Sequence, residues 1–191
     1  MKQKILVMDT ETGGLEAGVH SLLQVGLLVC ENGEVLDELK VNIVEENIED
    51  YVVTDMAMKI NGINLETHTG YTKSEAVALI VAFVQKHFKK PAQTAGHNVG
   101  FDVSFVKALF KFVGVDYDAV FSYRLLDTSS IARFLIFSGI IPNRGKLGDL
   151  AKHFGIEFVE SELHDSLVDC HVTYKLLLSM ASMFPQTELA S

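Results

Sequence analysis

The chain has 191 residues, enough for one domain with a sizeable core. Hydrophobic residues make up 48% and charged residues 21%, which excludes a largely disordered chain. The net charge of −9 excludes a protein that coats nucleic acid through a broad basic face, but not one that meets phosphate through bound cations. No apolar run reaches membrane-spanning length, and the N-terminus does not read as a cleaved signal. Cys30 and Cys170 are isolated, without a CxxC pair, and read as reduced buried thiols of a cytoplasmic protein.

In chain order, Ile5 to Met8 is a short apolar run ending in acids, which predicts a central strand. Leu22 to Cys30 is a second strand, and Asn32-Gly33 is a hairpin turn. Leu39, Val41 and Ile43 alternate with polar residues along a third, half-exposed strand from Val35. The stretch from Ile43 to Gly70 is irregular, with one short helix. Thr72-Lys73-Ser74-Glu75 is a capping box that opens a helix to about Lys89. A fourth strand spans Gln93 to His97. A helix follows from Phe101 to Val113, closed by Gly114, and a fifth strand runs from Tyr123 to Asp127. Helices are expected near Ser129–Phe137, Lys146–Phe154 and Asp165–Met183, and residues 185–191 as a loose tail. Strands in a run, then strands alternating with helices, indicate an α/β fold: one domain over residues 1–184 with a mixed five-stranded sheet flanked by helices.

Four acids are out of keeping with a plain structural domain. Asp9 and Glu11 end the first strand two residues apart, so both share the face of Ile5 and Val7. Two carboxylates on one side of a core strand repel unless a cation lies between them. Asp102 falls on the stripe of Val106, Leu109 and Val113, and Asp169 on that of Val172, Leu176 and Met180. An acid in a first helical turn also complements the helix dipole, and this alternative stays open for Asp102. For Asp169 a place at the rim of the core stays open. Together, acids on inward faces need hydrogen-bonding cages or metal ions, and carboxylates suit Mg²⁺ and Mn²⁺. His164 precedes Asp169 by five residues, about 140° of helical rotation, so the two converge only if His164 belongs to the preceding loop or first turn. His20, His68, His87, His153 and His171 read as bystanders.

Three segments resemble the motifs of a known family. They are Asp9-Thr10-Glu11-Thr12-Gly13-Gly14-Leu15, then His97-Asn98-Val99-Gly100-Phe101-Asp102, and His164-Asp165-Ser166-Leu167-Val168-Asp169. They look like the three motifs, in order, of the DEDDh (DnaQ-like) 3′→5′ exonucleases, which include the proofreading epsilon subunit of bacterial replicative polymerase. Asp127-Thr128 and Lys146-Leu147-Gly148-Asp149-Leu150 resemble further family segments. The likeness runs from about Ile5 to Leu178.

The resemblance implies an RNase H-like sheet whose first three strands are antiparallel. It implies two divalent ions, Mg²⁺ or Mn²⁺, held by Asp9, Glu11, Asp102 and Asp169, with His164 as general base. Thr10, Thr12 and Gly13 would contact the terminal sugar and phosphate. Leu15 resembles an apolar wedge and Phe101 a pocket wall, though ordinary packing accounts for either equally well. His97 and Asn98 belong to the second motif's substrate side. Ile60-Asn61-Gly62-Ile63 resembles a substrate-facing segment in which a histidine is common where Asn61 stands. The implied reaction releases 5′-mononucleotides from the 3′ end of single-stranded or frayed DNA. An RNA exonuclease of the same family, a non-catalytic interaction module and a carboxylate-rich phosphatase are the alternatives. Any polymerase must be a separate chain, and Gln186-Thr187-Glu188-Leu189 faintly resembles a sliding-clamp-binding peptide.

Overall fold

The computed structural model describes residues 3–184. The expected tail, with its clamp-like residues Gln186–Leu189, lies outside the described residues. One five-stranded sheet organises the chain: β1 (Ile5–Thr12), β2 (Leu22–Glu31), β3 (Glu34–Asn42), β4 (Ala92–Gly96) and β5 (Phe121–Asp127), in the spatial order β3-β2-β1-β4-β5. The β1–β2 and β2–β3 pairs are antiparallel, and β1–β4 and β4–β5 are parallel. This is the mixed RNase H-like sheet expected from the sequence.

Strand position follows from side-chain character. Ile5, Leu6, Val7 and Met8 are all buried, as a central strand covered on both faces requires. β2 is buried along all but its last residue, whereas β3 exposes most of its length at the sheet edge. Between them Asn32 and Gly33 both take positive φ, 57° and 92°, as a two-residue hairpin demands.

Helices cover both faces. α2 (Lys73–His87) starts at the Thr72 capping box, and α3 (Gly100–Val113) ends at Gly114 in the left-handed conformation. Their apolar sides pack with Leu6, Met8, Val25 and Leu27 on one face of the sheet. α6 (Ser166–Ser182) covers the other face, where Cys170, Tyr174 and Leu177 meet Ile5, Val7, Leu28 and Cys30. α4 (Thr128–Phe137) and α5 (Leu147–His153) extend that layer around Leu176 and Met180. α1 (Asp55–Asn61) is the one α-helix that the described residues form between β3 and α2. No helix among the described residues is long and apolar enough to cross a membrane.

The contact between β2 and the start of α6 is unusually close. A Cβ on Gly26 would stand 2.5 Å from the Ser166 carbonyl carbon and 2.8 Å from the Leu167 nitrogen. Both neighbours are backbone, so nothing can rotate aside. Gly26→Ala is therefore expected to cost about 1–3 kcal/mol by overpacking. It should also push the first turn of α6 outward. Thermal melting should show a lowered Tm, and an unchanged Tm would show that β2 and α6 can separate freely.

Candidate active site

The acids gather at the carboxyl end of β1. Residue parity directs Asp9 and Glu11 toward α6, on the face of Ile5 and Val7. Thr10, of opposite parity, turns to the other layer, where its Oγ1 donates to Asp102 Oδ1 at 2.7 Å. The first turns of α3 and α6 thus approach one strand end from opposite faces, one bringing Asp102 and the other Asp169. Glu11, Asp102 and Asp169 are buried, with 7%, 4% and 8% of their surface exposed, and Asp9 is half-buried.

Burial is the main force on these groups. It raises Asp9 well above the usual carboxylate range, and the charges of Asp102, Asp169 and Glu11 add to it. Burial, then the fields of Asp169 and Asp102, pushes Glu11 to about 9. Burial lifts Asp102 to about 7 against the opposing hydrogen bond from Thr10. It lifts Asp169 to about 6 against the opposing His164 backbone N–H. Such values describe a pocket short of positive charge.

His164 is exposed and sits in the loop before α6, one of the two places its spacing from Asp169 left open. Its φ of 72° is left-handed, a conformation that costs a non-glycine residue energy and that concentrates at functional sites. Its backbone N–H points to Asp169 Oδ2 at 3.4 Å. Glu11, His164 and Asp169 each offer a ligand atom, and these atoms lie within 4.8 Å of one another. Asp9 and Asp102 stand outside that close trio and are tied to it through their fields. Asp169 Oδ1 is buried without a hydrogen-bond partner. A buried carboxylate oxygen left unpaired is costly, and a divalent cation bound among these oxygens would satisfy it.

Several residues expected to meet substrate are engaged within the chain. Thr10 is committed to Asp102, and Thr12 Oγ1 donates to the Gly14 carbonyl. The Gly13 N–H donates to Ser21 O, and a Cβ there would strike Val52 O. Asn61 Nδ2 donates to Thr12 O while its Oδ1 accepts from Ile63 N. The His97 ring nitrogens face the Thr128 hydroxyl and the Gly145 carbonyl. These groups brace the site. By contrast, Leu15 is 87% exposed, which excludes ordinary packing for it, and Ile60 and Asn98 are also exposed. Phe101 lies partly on the core, its ring 5.0 Å from that of Phe105.

Other supporting residues were given no individual role in the sequence. Gln24 Oε1 accepts from both the N–H and the Oγ of Ser166, and Gln24 Nε2 donates to Asn42 Oδ1. A lone glutamine within the apolar run of β2 was the available signal. Asp165 caps α6 through the Leu167 and Val168 N–H groups and pairs with Lys40 at 2.6 Å. Asp127 Oδ1 accepts from Asn98 N, fixing the turn into α3, where Asn98 has φ 63°. Among the bystander histidines, His68 faces the Leu23 and Ile43 carbonyls, His87 meets Asp37 and His171 meets Glu38.

A model of the RNase T family, described as an exonuclease, matches residues 6–177. Ribonuclease T of Actinobacillus pleuropneumoniae is 25% identical over 186 residues, spanning 93% of this chain and 83% of that protein. The PolC-type DNA polymerase III of Pediococcus pentosaceus is 26% identical over 91% of this chain, but that match covers only 11% of the polymerase. Among solved structures, the zinc-bound complex of E. coli exonuclease I with single-stranded DNA superposes with a TM-score of 0.81 at 20% identity. It covers 97% of this chain, which spans about two-fifths of the exonuclease I chain, at 42%. The family match over most of the sequence agrees with the fold and with the acids at the ends of β1, α3 and α6: the chain belongs to the DEDD exonuclease family.

Proposed function

We propose that the protein is a divalent-metal-dependent 3′→5′ exonuclease that releases 5′-mononucleotides from single-stranded or frayed DNA. The observation that carries this reading is the convergence of Asp9, Glu11, Asp102 and Asp169 beside His164, with one buried oxygen of Asp169 unpaired. The four carboxylates would hold two ions, Mg²⁺ or Mn²⁺, since oxygen donors suit these hard cations. Such ions would clamp the scissile phosphate, acidify the attacking water and neutralise the departing 3′ oxygen. An imidazole nitrogen of His164 would take the proton from that water as a general base. Thr10 holds Asp102 in position. Leu15, Ile60, Asn98 and Phe101 face the terminal nucleotide, while Thr12, Gly13, Asn61 and His97 shape the pocket around its sugar and phosphate.

DNA is favoured by the glycine-rich form of the first motif and by the single-stranded DNA bound to the exonuclease I relative. The likeness to ribonuclease T over nearly the whole chain favours RNA as the competing substrate. The likeness to a region of PolC supports a role in association with a polymerase. The free, buried thiols of Cys30 and Cys170 support a reducing compartment, the cytoplasm.

A time course with Mg²⁺ on end-labelled single-stranded, paired and circular DNA, with matched RNA, tests the proposal. Digestion should start at a free 3′-OH, slow on paired ends and spare the circle. RNA cleaved faster than DNA would reassign the substrate, and a circle cut as fast as a linear strand would overturn the exonuclease reading. In the same assay, replacing Asp9, Glu11, Asp102 or Asp169 by Ala should nearly abolish cleavage. His164→Ala should lower kcat by about 10²–10⁴ and keep metal affinity, the usual worth of a general base. Two alanine variants of the acids with wild-type turnover would refute the assignment.

The raised carboxylates also set a pH dependence. Unfolded Asp and Glu titrate near pH 4. The folded values are about 6 for Asp169, 7 for Asp102 and 9 for Glu11. Between these limits the folded chain holds more protons than the unfolded one, so stability falls as pH rises. In EDTA the Tm should therefore drop from pH 6 to pH 9, and saturating Mg²⁺ should flatten that trend. A Tm in EDTA that is level or rising over this range would contradict the picture of mutually repelling buried acids.

A further inference from the structure

The positive charge of this acidic chain is unevenly distributed. Its three arginines, Arg124, Arg133 and Arg144, fall in one stretch, and Lys146 follows. From residue 119 to residue 148 the sole acid is Asp127. Its carboxylate is committed to Asn98 N, Ser129 N and Ser130 Oγ. This stretch is therefore net basic, and the rest of the chain carries the whole negative excess.

Aromatic residues share this surface. Phe134 and Phe137 are 59% and 89% exposed. With Ser130 and Arg133 they occupy positions i, i+3, i+4 and i+7, one solvent-facing stripe of α4, while Ala132 and Leu135 turn to the core. Core packing therefore does not explain these two rings. On the neighbouring strand the Arg124 guanidinium lies 5.6 Å from the centre of the exposed Tyr123 ring. The loop 142–146 is exposed along its length.

This face adjoins the acid pocket. α4 begins directly after Asp127, whose carboxylate holds Asn98 in the turn that leads to Asp102. The loop returns to the same place, where the Gly145 carbonyl meets His97. Exposed rings on one helical stripe with a cation form a sequence-tolerant platform for a single strand, bases stacking on the rings and phosphates on the cations.

We infer that α4 and the loop 142–146 guide the single-stranded nucleic acid upstream of the scissile end, with phosphates on Arg133, Arg144 and Lys146 and bases on Phe134 and Phe137. The inference rests on the exonuclease reading above and adds the path of the strand outside the pocket. Charge decides the occupant. A polyanion is repelled by a chain of net charge −9 except on its basic stretch. A second copy docked through the same face would set this basic stretch against itself.

The test compares wild type with the Arg133→Ala, Arg144→Ala double variant and with Phe137→Ala. These side chains are exposed, so folding should be unaffected. Affinity for a fluorescent 15-nucleotide single strand is measured in EDTA over a range of salt, and turnover of a dinucleotide in Mg²⁺. The double variant should bind the strand about tenfold more weakly and lose about 1.4 from its log–log salt slope, near 0.7 for each removed phosphate contact. Phe137→Ala should weaken binding about fivefold or more with an unchanged slope. Dinucleotide turnover, which needs only the pocket, should match wild type for both. Unchanged strand affinity and slope would overturn the inference. So would a wild-type dimer in sedimentation that becomes monomeric in the variants without loss of strand binding, since the face would then join two copies. A wild type that fails to cut the dinucleotide would sink the exonuclease reading itself, while the binding data would still decide the role of α4.

Discussion

The burial of several carboxylates at one strand end is the constraint on which the rest of the structure depends. Asp9, Glu11, Asp102 and Asp169 each titrate above the usual range because water has been removed from them, and the charges of Asp102 and Asp169 make Asp9 and Glu11 harder still to ionise. A fold optimised only for stability would not gather them. Local relief is partial: Thr10 donates to Asp102, the His164 N–H approaches Asp169, and the first turns of α3 and α6 present favourable dipoles to their own acids. The remaining deficit is positive charge, which a divalent cation supplies.

The surrounding scaffold holds the acids in place against this repulsion. β1 is buried on both faces, so the strand that carries Asp9 and Glu11 cannot yield. α6 is fastened at its start by Gln24, by close contact with Gly26 and by the Lys40–Asp165 pair. The entry to α3 is fastened by Asp127, with His97 and Thr128 bracing the same corner. Side chains that meet both helices therefore come from β1, β2, β3 and the end of β5. The left-handed His164 fits this arrangement: the loop accepts strain to bring an exposed imidazole beside two anchored carboxylates.

Local signals in the sequence made much of this legible. Parity along β1 identified the face of Asp9 and Glu11, and helical spacing identified the inward stripes of Asp102 and Asp169, whose later members Val106, Leu109, Val172, Leu176 and Met180 are buried. The Asn32-Gly33 turn, the Thr72 capping box and the Gly114 stop lie where their chemistry predicts. The five-residue spacing left His164 a place in the preceding loop or the first turn if it was to meet Asp169, and it lies in the loop. Long-range pairing was not legible. The Thr10–Asp102 bond spans 92 residues and the Gln24–Ser166 bond 142, and no spacing rule reaches so far. The partners of Thr12, Gly13, Asn61 and His97 inside the protein could not be seen from local sequence either.

The most direct test of the central claim is a thermal-shift titration of wild type and Asp102→Asn, in EDTA and with increasing Mn²⁺. Asparagine keeps the shape and the acceptor for Thr10 but removes one charge. If the acids repel one another and await a cation, Asp102→Asn melts higher than wild type in EDTA and gains less from Mn²⁺. Wild type should gain about 2.7 kcal/mol at a hundred times its dissociation constant. If Asp102 only complements the dipole of α3, the variant melts at the same temperature or slightly lower in EDTA, and equal Mn²⁺-induced shifts in the two proteins would contradict the account.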